Sequence, residues 1–179
     1  AAALWASGAP QPKTMRVCAA QPQTPLVDWR TPAAEVPAAV EKTLDELERV
    51  VHRAGEAGCN ALALPEDTLG LLHWEMGNPE AQAKVLTSAV GRMLERLGRA
   101  AAAHRMYLVC ANDTAEPDGS FRNTAFLLGR DGKEIGRYHK VNLPVQESSR
   151  KRGTSFPVFE TPDLGGVGML ICYDMVMPE

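Results

Sequence analysis

The chain has 179 residues, a formal net charge of -3, 45% hydrophobic residues and 23% charged residues. This length suits one domain with a substantial core, and the composition is that of a globular protein rather than a disordered one. The densest basic run, Arg150-Lys151-Arg152, is interpreted as a solvated loop, so neither nucleic acid nor an acidic membrane is a predicted partner. No stretch approaches the ~20 apolar residues of a membrane span.

The first 14 residues are rich in Ala and Pro and precede Met15. They lack the basic start and the long apolar middle of a signal peptide. We interpret 1–14 as a tag-like or disordered extension and 15–179 as a single domain.

The cysteines are widely spaced and form no CxxC pair; they are Cys18, Cys59, Cys110 and Cys172. Such spacing is typical of a reduced cytoplasmic protein rather than of a disulfide scaffold or a zinc site. The sequence therefore predicts four free thiols, no bound metal and a cytoplasmic location.

Strand-like and helix-like segments alternate along the first half of the chain. Short apolar runs at 16–20, 60–64 and 107–111 predict buried strands. Apolar residues spaced by three and four predict two amphipathic helices, the first over 40–54 and the second over 85–104.

Two Asp-Gly turns predict an antiparallel region in the second half. Asp118-Gly119 and Asp131-Gly132 bracket an apolar run at 123–128, and another extended segment follows at 134–138. The apolar run at 167–171 predicts a last strand. The order β-α-β-α-β followed by a meander indicates an α/β domain with a mixed sheet.

Three polar residues, Glu66, Lys140 and Cys172, each follow a predicted strand. A thiolate is a strong nucleophile, and a carboxylate beside it can take the thiol proton and return it to a leaving amine. A fixed cation and a backbone N–H, such as that of Tyr173, are natural donors to the oxyanion that develops in acyl transfer. A single acidic residue or lysine is more often a solvated surface residue without a catalytic role. The prediction therefore depends on the three residues occurring together.

The three segments resemble those of the nitrilase superfamily of carbon-nitrogen hydrolases, most of all its amidase and N-carbamoylase branch. The similar motifs are Ala63-Leu64-Pro65-Glu66, His139-Lys140-Val141-Asn142-Leu143 and Ile171-Cys172-Tyr173-Asp174. The resemblance implies a Cys-Glu-Lys triad and a covalent acyl-enzyme that needs no cofactor. It also implies a homo-oligomer and a four-layer α-β-β-α sandwich, of which this chain holds the N-terminal part.

Two further residues have alternative interpretations. Glu147 lies where many members of the superfamily carry a second glutamate, so it either orients Lys140 or the attacking water, or is a solvated loop acid. His139 could form a Cys/His dyad with Cys172, as in some proteases and amidotransferases. Neighbouring residues of an extended segment point to opposite faces, however, and the resemblance favours Lys140 over His139.

The resemblance also narrows the substrate. Cys172-Tyr173-Asp174 resembles the cysteine motif of amide and N-carbamoyl hydrolases, whereas nitrilases typically have Cys-Trp-Glu at this place. Nitrile hydrolysis by the same triad stays an alternative. Val176 stands where one branch has an arginine, so recognition of a carboxylate by that arginine is not carried over.

The resemblance further implies strands and a helix beyond Glu179. The chain is therefore expected to be a fragment of a longer protein. The alternative is a catalytically incomplete remnant that acts as an assembly module, because an uncovered sheet face favours association.

Overall fold

The computed structural model describes residues 14–23 and 25–177, so most of the predicted extension at 1–14 lies outside the described residues. Five strands form a mixed sheet in the order β1-β2-β3-β4-β5, in which β1, β2 and β3 are parallel and β4 and β5 are antiparallel to their neighbours. The strands are β1 (Val17–Ala19), β2 (Ala61–Ala63), β3 (Tyr107–Ala115), β4 (Phe121–Leu128) and β5 (Glu134–His139). The predicted β-α-β-α-β order and the antiparallel meander are confirmed.

Helices cover one face of this sheet. α1 (Val36–Glu56) packs on α3 (Pro79–Ala103), and α3 packs on β3. Pro79 opens α3 in its first turn, where the missing N–H of proline costs no hydrogen bond. A short helix that the sequence did not predict, α2 (Leu72–Gly77), precedes α3.

A second sheet lies on the other face. Its antiparallel strands are β6 (Val158–Thr161) and β7 (Gly165–Gly168). Side chains from both sheets form a second apolar core, which includes Ala125, Leu127 and Ile171. The described residues thus form a helical layer and two packed sheets, as the expected partial sandwich requires.

The last predicted strand is misplaced. β7 ends at Gly168, and the segment through Met169 and Ile171 connects it to a 3-10 turn. Both side chains are buried in the second core. Burial of alternate residues gives the same sequence pattern in a strand and in an extended connection, so the pattern could not separate them.

The prediction of four free thiols is wrong for one pair, because Cys18 and Cys59 form a disulfide. They are 41 residues apart, but the parallel pairing of β1 and β2 brings their Cα atoms to 6.0 Å, within the range of a disulfide. Cys110 and Cys172 are free. The cytoplasmic location was predicted from reduced cysteines, and the Cys18–Cys59 disulfide removes part of that argument. The location stays a prediction.

No helix in the two described ranges is long and apolar enough to cross a bilayer.

Candidate active site

The loop that carries Glu66 is anchored to strand β3. The Thr68 hydroxyl donates to Pro65 O and accepts from Ala111 N–H, and the Thr68 N–H donates to Ala111 O. The Asp67 carboxylate accepts from two N–H groups at the start of α2. These bonds fix the backbone on both sides of Glu66, directly beyond the end of β2.

Lys140 lies at the end of β5 and is buried, with only 1% of its surface exposed. Its Nζ donates to Glu66 Oε1 at 2.8 Å and to Glu147 Oε1 at 2.7 Å. A buried ammonium requires such partners, since an uncompensated charge in the interior is very costly. The structure thus brings Glu147 to Lys140 rather than leaving it as a solvated loop acid.

Asn123, on β4, joins the same two glutamates from the other side. Its Nδ2 donates to Glu66 Oε1 at 2.6 Å and to Glu147 Oε2 at 3.4 Å. Lys140 and Asn123 therefore each bridge both carboxylates, and the four side chains close a ring of hydrogen bonds. We name these four side chains the carboxylate ring.

Cys172 lies beside the carboxylate ring at a sharp turn. Ile171 is extended, Cys172 has φ +44°, and a 3-10 turn over Cys172–Val176 follows. A side chain in this left-handed region costs on the order of 1–2 kcal/mol, so the surrounding contacts must hold Cys172 there. The turn leaves the Cys172 residue exposed while the residue before it is buried.

The electrostatics of the site favour a neutral thiol. Partial burial of the thiol and the neighbouring Glu66 carboxylate raise the pKa of the Cys172 thiol and outweigh the opposite effect of Lys140. For Lys140, burial disfavours the charged form, but the bonds to Glu147 and Glu66 outweigh it and raise the pKa of the ammonium. The site therefore favours a protonated lysine and an un-ionised thiol, so a nucleophilic role for Cys172 would require a base.

The predicted residues Glu66, Lys140, Glu147 and Cys172 thus lie together. Tyr173 follows Cys172 in the 3-10 turn and its side chain is partly exposed. His139 lies elsewhere, since its Nδ1 is 3.0 Å from Thr124 Oγ1 and it lines a small cavity with Arg122 and Arg137. The structure therefore does not bring His139 to Cys172.

Sequence reasoning missed two residues of this region, Asn123 and Asp174, as members of the hydrogen-bonded network. Asp174 is buried, with Tyr138 O–H and the N–H groups of Asn142 and Ile171 as its donors. The polar Asn123 in the apolar run of β4 was a usable clue, because a buried amide needs partners. For Asp174 the sequence contained only its place in the cysteine motif.

In the described residues, no group of three or more His, Cys, Asp or Glu side chains has the geometry to hold a metal ion.

Comparison with known proteins gives the class. The sequence model described as "Carbon-nitrogen hydrolase" matches residues 16–179. The chain therefore belongs to the carbon-nitrogen hydrolase family.

Two of the relatives are named as amidases. The chain is 28% identical over 153 residues to the deaminated glutathione amidase of Synechocystis sp. (strain PCC 6803 / GT-S), covering 77% of this chain and 54% of that protein. It is 29% identical over 142 residues to the omega-amidase NIT2 of Homo sapiens, covering 72% of this chain and 48% of that protein. The chain thus spans about half the length of these curated relatives.

A solved structure supports the fold. An amidase from Nesterenkonia sp. superimposes with a TM-score of 0.69 at 24% identity, covering 92% of this chain and 57% of that chain. The α/β class and the partial nitrilase-like sandwich are confirmed by this likeness.

Proposed function

We propose that the protein hydrolyses the C–N bond of a small linear amide or N-carbamoyl compound through a thioester on Cys172. The observation that carries this proposal is the carboxylate ring beside the thiol. Lys140 and Asn123 both donate to Glu66 Oε1, which leaves Glu66 Oε2 to accept the thiol proton. The raised pKa of Cys172 makes such a base necessary, because a neutral thiol is a poor nucleophile.

In the first half-reaction Glu66 takes the proton of Cys172 as the sulfur attacks the substrate carbonyl. The new S–C bond moves the carbonyl π electrons onto oxygen. Two protons of Lys140 Nζ are engaged by Glu66 and Glu147, and its third proton and the Tyr173 N–H are the proposed donors to that oxyanion. Glu66 then gives its proton to the nitrogen, the C–N bond breaks, and the amine or ammonia leaves.

In the second half-reaction water attacks the thioester. Glu66, now ionised, takes a proton from the water as the C–O bond forms. The tetrahedral intermediate collapses with cleavage of the C–S bond, and the proton returns from Glu66 to Cys172. The products are the carboxylic or carbamic acid and the regenerated thiol. Glu147 holds Lys140 throughout by its 2.7 Å bond.

The substrate class rests on two supports. The relatives named above are amidases, and Cys172-Tyr173-Asp174 is similar to the motif of amide and carbamoyl hydrolases. A nitrile would form a thioimidate on the same thiol, so nitrilase activity is the second outcome to test. The homo-oligomer that the resemblance implies stays a prediction.

The direct test is hydrolysis of a panel of short linear amides, N-carbamoyl amino acids and nitriles, with product release measured for the wild type and for variants. Glu66→Gln removes the base, and Lys140→Met removes the cation. Each change should lower turnover by about a hundredfold or more, the usual size for a lost general base or oxyanion donor.

Matched controls lie outside the site. Lys151→Met removes a lysine that pairs with Asp118, and Glu134→Gln removes a glutamate that pairs with Arg137. Both should keep wild-type turnover. A folded Glu66→Gln variant that retains most of the hydrolysis would contradict the proposed role of Glu66.

A further inference from the structure

A second buried cluster of charged side chains lies outside the carboxylate ring. Arg150, in the run interpreted from sequence as a solvated loop, has only 9% of its side chain exposed. Its guanidinium contacts Asp113 Oδ2 at 2.6 Å from Nε and at 2.5 Å from Nη2. Nη2 also contacts Glu75 Oε2 at 3.2 Å. One cation thus joins β3, which carries Asp113, to α2, which carries Glu75.

The protonation state of Glu75 decides the charge balance of this cluster. Glu75 Oε2 accepts from Gln82 Nε2 at 2.8 Å as well as from Arg150, but the buried Oε1 accepts from no group among the described residues. Burial first, and then the charge and contact of Asp113, raise the pKa of the Glu75 carboxyl to about 9. The Glu75 carboxyl therefore keeps its proton at neutral pH, next to the Asp113 carboxyl that raises its pKa. The cluster is then a neutral acid, one carboxylate and one guanidinium, which balance in charge.

This cluster is connected to the carboxylate ring through a short turn. The Arg150 N–H donates to Glu147 O at 2.9 Å, and the Glu147 N–H donates to Pro144 O at 2.9 Å. The anchored guanidinium therefore fixes the backbone of Glu147, whose carboxylate contacts Lys140. Two other charges act in this region. The Glu147 carboxylate favours the charged form of Arg150, and the Asp113 charge disfavours ionisation of Asp67.

We infer that Arg150 is a positioning residue for the candidate site, held by its ion pairs with Asp113 and Glu75 so that Glu147 stays against Lys140. The role of this contact in hydrolysis rests on the proposed function, whereas the contact itself does not. Loss of the guanidinium should free the 145–150 turn and separate Glu147 from Lys140. Misplacement of a catalytic group by about 1 Å can lower a rate by roughly a hundredfold.

The test measures the apparent pKa of Cys172 from the rate of iodoacetamide labelling against pH, with the labelled site found by mass mapping. The charge of Glu147 raises the pKa of this thiol, so Glu147→Gln should lower it. Arg150→Met should shift it in the same direction, by about half as much or more. Arg130→Met is the matched control, because Arg130 is also ion-paired and partly buried, with Asp163, away from the site.

A folded Arg150→Met variant with the wild-type labelling profile would overturn the inference, as would an equal shift in Arg130→Met. If Arg150→Met does not fold, Arg150→Lys is used, because it keeps the charge but cannot make the paired guanidinium contacts. It should give a smaller shift in the same direction. Turnover on an amide should fall roughly tenfold to a hundredfold in Arg150→Met.

The two proposals fail separately. If the Arg150 variants shift the labelling profile but the wild-type protein hydrolyses no amide, carbamoyl compound or nitrile, the proposed function is wrong and the positioning contact is still supported. Hydrolysis by the wild type without a labelling shift in either Arg150 variant would sink the positioning role alone.

Discussion

The Asp174 carboxylate, two residues after Cys172, accepts a hydrogen bond of 2.8 Å from the N–H of Asn142, two residues after Lys140. The same carboxylate accepts from Tyr138 O–H at 2.6 Å and from Ile171 N–H at 3.0 Å. The segment of the candidate nucleophile and the segment of the candidate cation are thus tied together by one buried side chain. Their relative position depends on that side chain having two acceptor oxygens.

Asp174→Asn should therefore lower both stability and turnover. One acceptor oxygen becomes an NH₂ group that faces an N–H or O–H donor, so a buried donor loses its partner. The expected loss is about 2 kcal/mol, the size of a broken buried hydrogen bond to a charged group. Urea unfolding and amide hydrolysis measure the two effects. Equal stability of Asp174→Asn and wild type would contradict this account.

Asn123→Leu should lower turnover by about tenfold or more with a smaller effect on KM. Leucine has a similar size but cannot donate to Glu66 and Glu147, so both carboxylates lose a fixed orientation. The comparison is Asn78→Ala, which removes an amide that donates to Trp29 O and Trp74 O away from the site. Steady-state kinetics of both variants check the prediction. Unchanged kcat in a folded Asn123→Leu variant would show that Lys140 alone orients the glutamates.

The fold was largely predictable because its main elements have strong local patterns. The apolar stripe of α1 and the Asp-Gly turns beside β4 identify a helix and a hairpin without tertiary information. The candidate residues Glu66, Lys140 and Cys172 were predictable because they occur together, in three segments that resemble those of the nitrilase superfamily. Their catalytic roles stay proposals.

Other features depend on contacts that no local pattern contains. Arg150 lies in a basic run that resembles solvated surface, and only the fold brings Asp113 and Glu75 to it. Cys18 and Cys59 pair because β1 and β2 are adjacent, which their spacing in sequence does not reveal.

Glu75→Gln should stabilise the protein increasingly as the pH rises. The folded-state pKa of Glu75 is raised from 4.5 to about 9, so between these values the native state binds a proton that the unfolded state does not. The wild type therefore loses stability through this group as the pH rises from 4.5 to about 9, with no further loss above. Glutamine cannot ionise.

Urea unfolding midpoints of wild type and Glu75→Gln, measured at intervals from pH 4.5 to about 9, test the predicted direction of this pH dependence. The difference should be smallest at the acid end and should favour the variant toward the alkaline end. Glu134→Gln is the comparison, because Glu134 is a partly exposed partner of Arg137 on β5. A constant difference between Glu75→Gln and wild type at every pH would show that Glu75 does not titrate in this way.

The disulfide makes a prediction that needs no substrate. Unfolded, unreduced protein should titrate as two thiols, Cys110 and Cys172, and reduced protein as four. Reduction should lower the free energy of unfolding by about 2–4 kcal/mol, since it releases a loop with a sequence separation of 41 residues. A Cys18→Ala/Cys59→Ala double variant should be insensitive to reductant. Four thiols in the unreduced protein would contradict the pairing.

Cys172 should be the thiol that iodoacetamide labels in the folded, unreduced protein. Burial raises the pKa of Cys110 to about 12 and removes it from solvent, whereas Cys172 is exposed. Because partial burial and Glu66 raise the pKa of the Cys172 thiol, its labelling should be slow near neutrality and should accelerate into the alkaline range. Mass mapping of labelled peptides against pH gives both the site and the profile.

Variants of Glu66 and Lys140 should shift this profile in opposite directions. Glu66→Gln removes a charge that raises the pKa of Cys172, so labelling near neutral pH should become faster even though hydrolysis becomes slower. Lys140→Met removes a charge that lowers this pKa, so labelling and hydrolysis should both slow. Glu134→Gln and Lys151→Met serve as controls that keep the wild-type profile. A shift in the same direction for Glu66→Gln and Lys140→Met, or prior labelling of Cys110, would mean that Cys172 does not lie between a base and a cation.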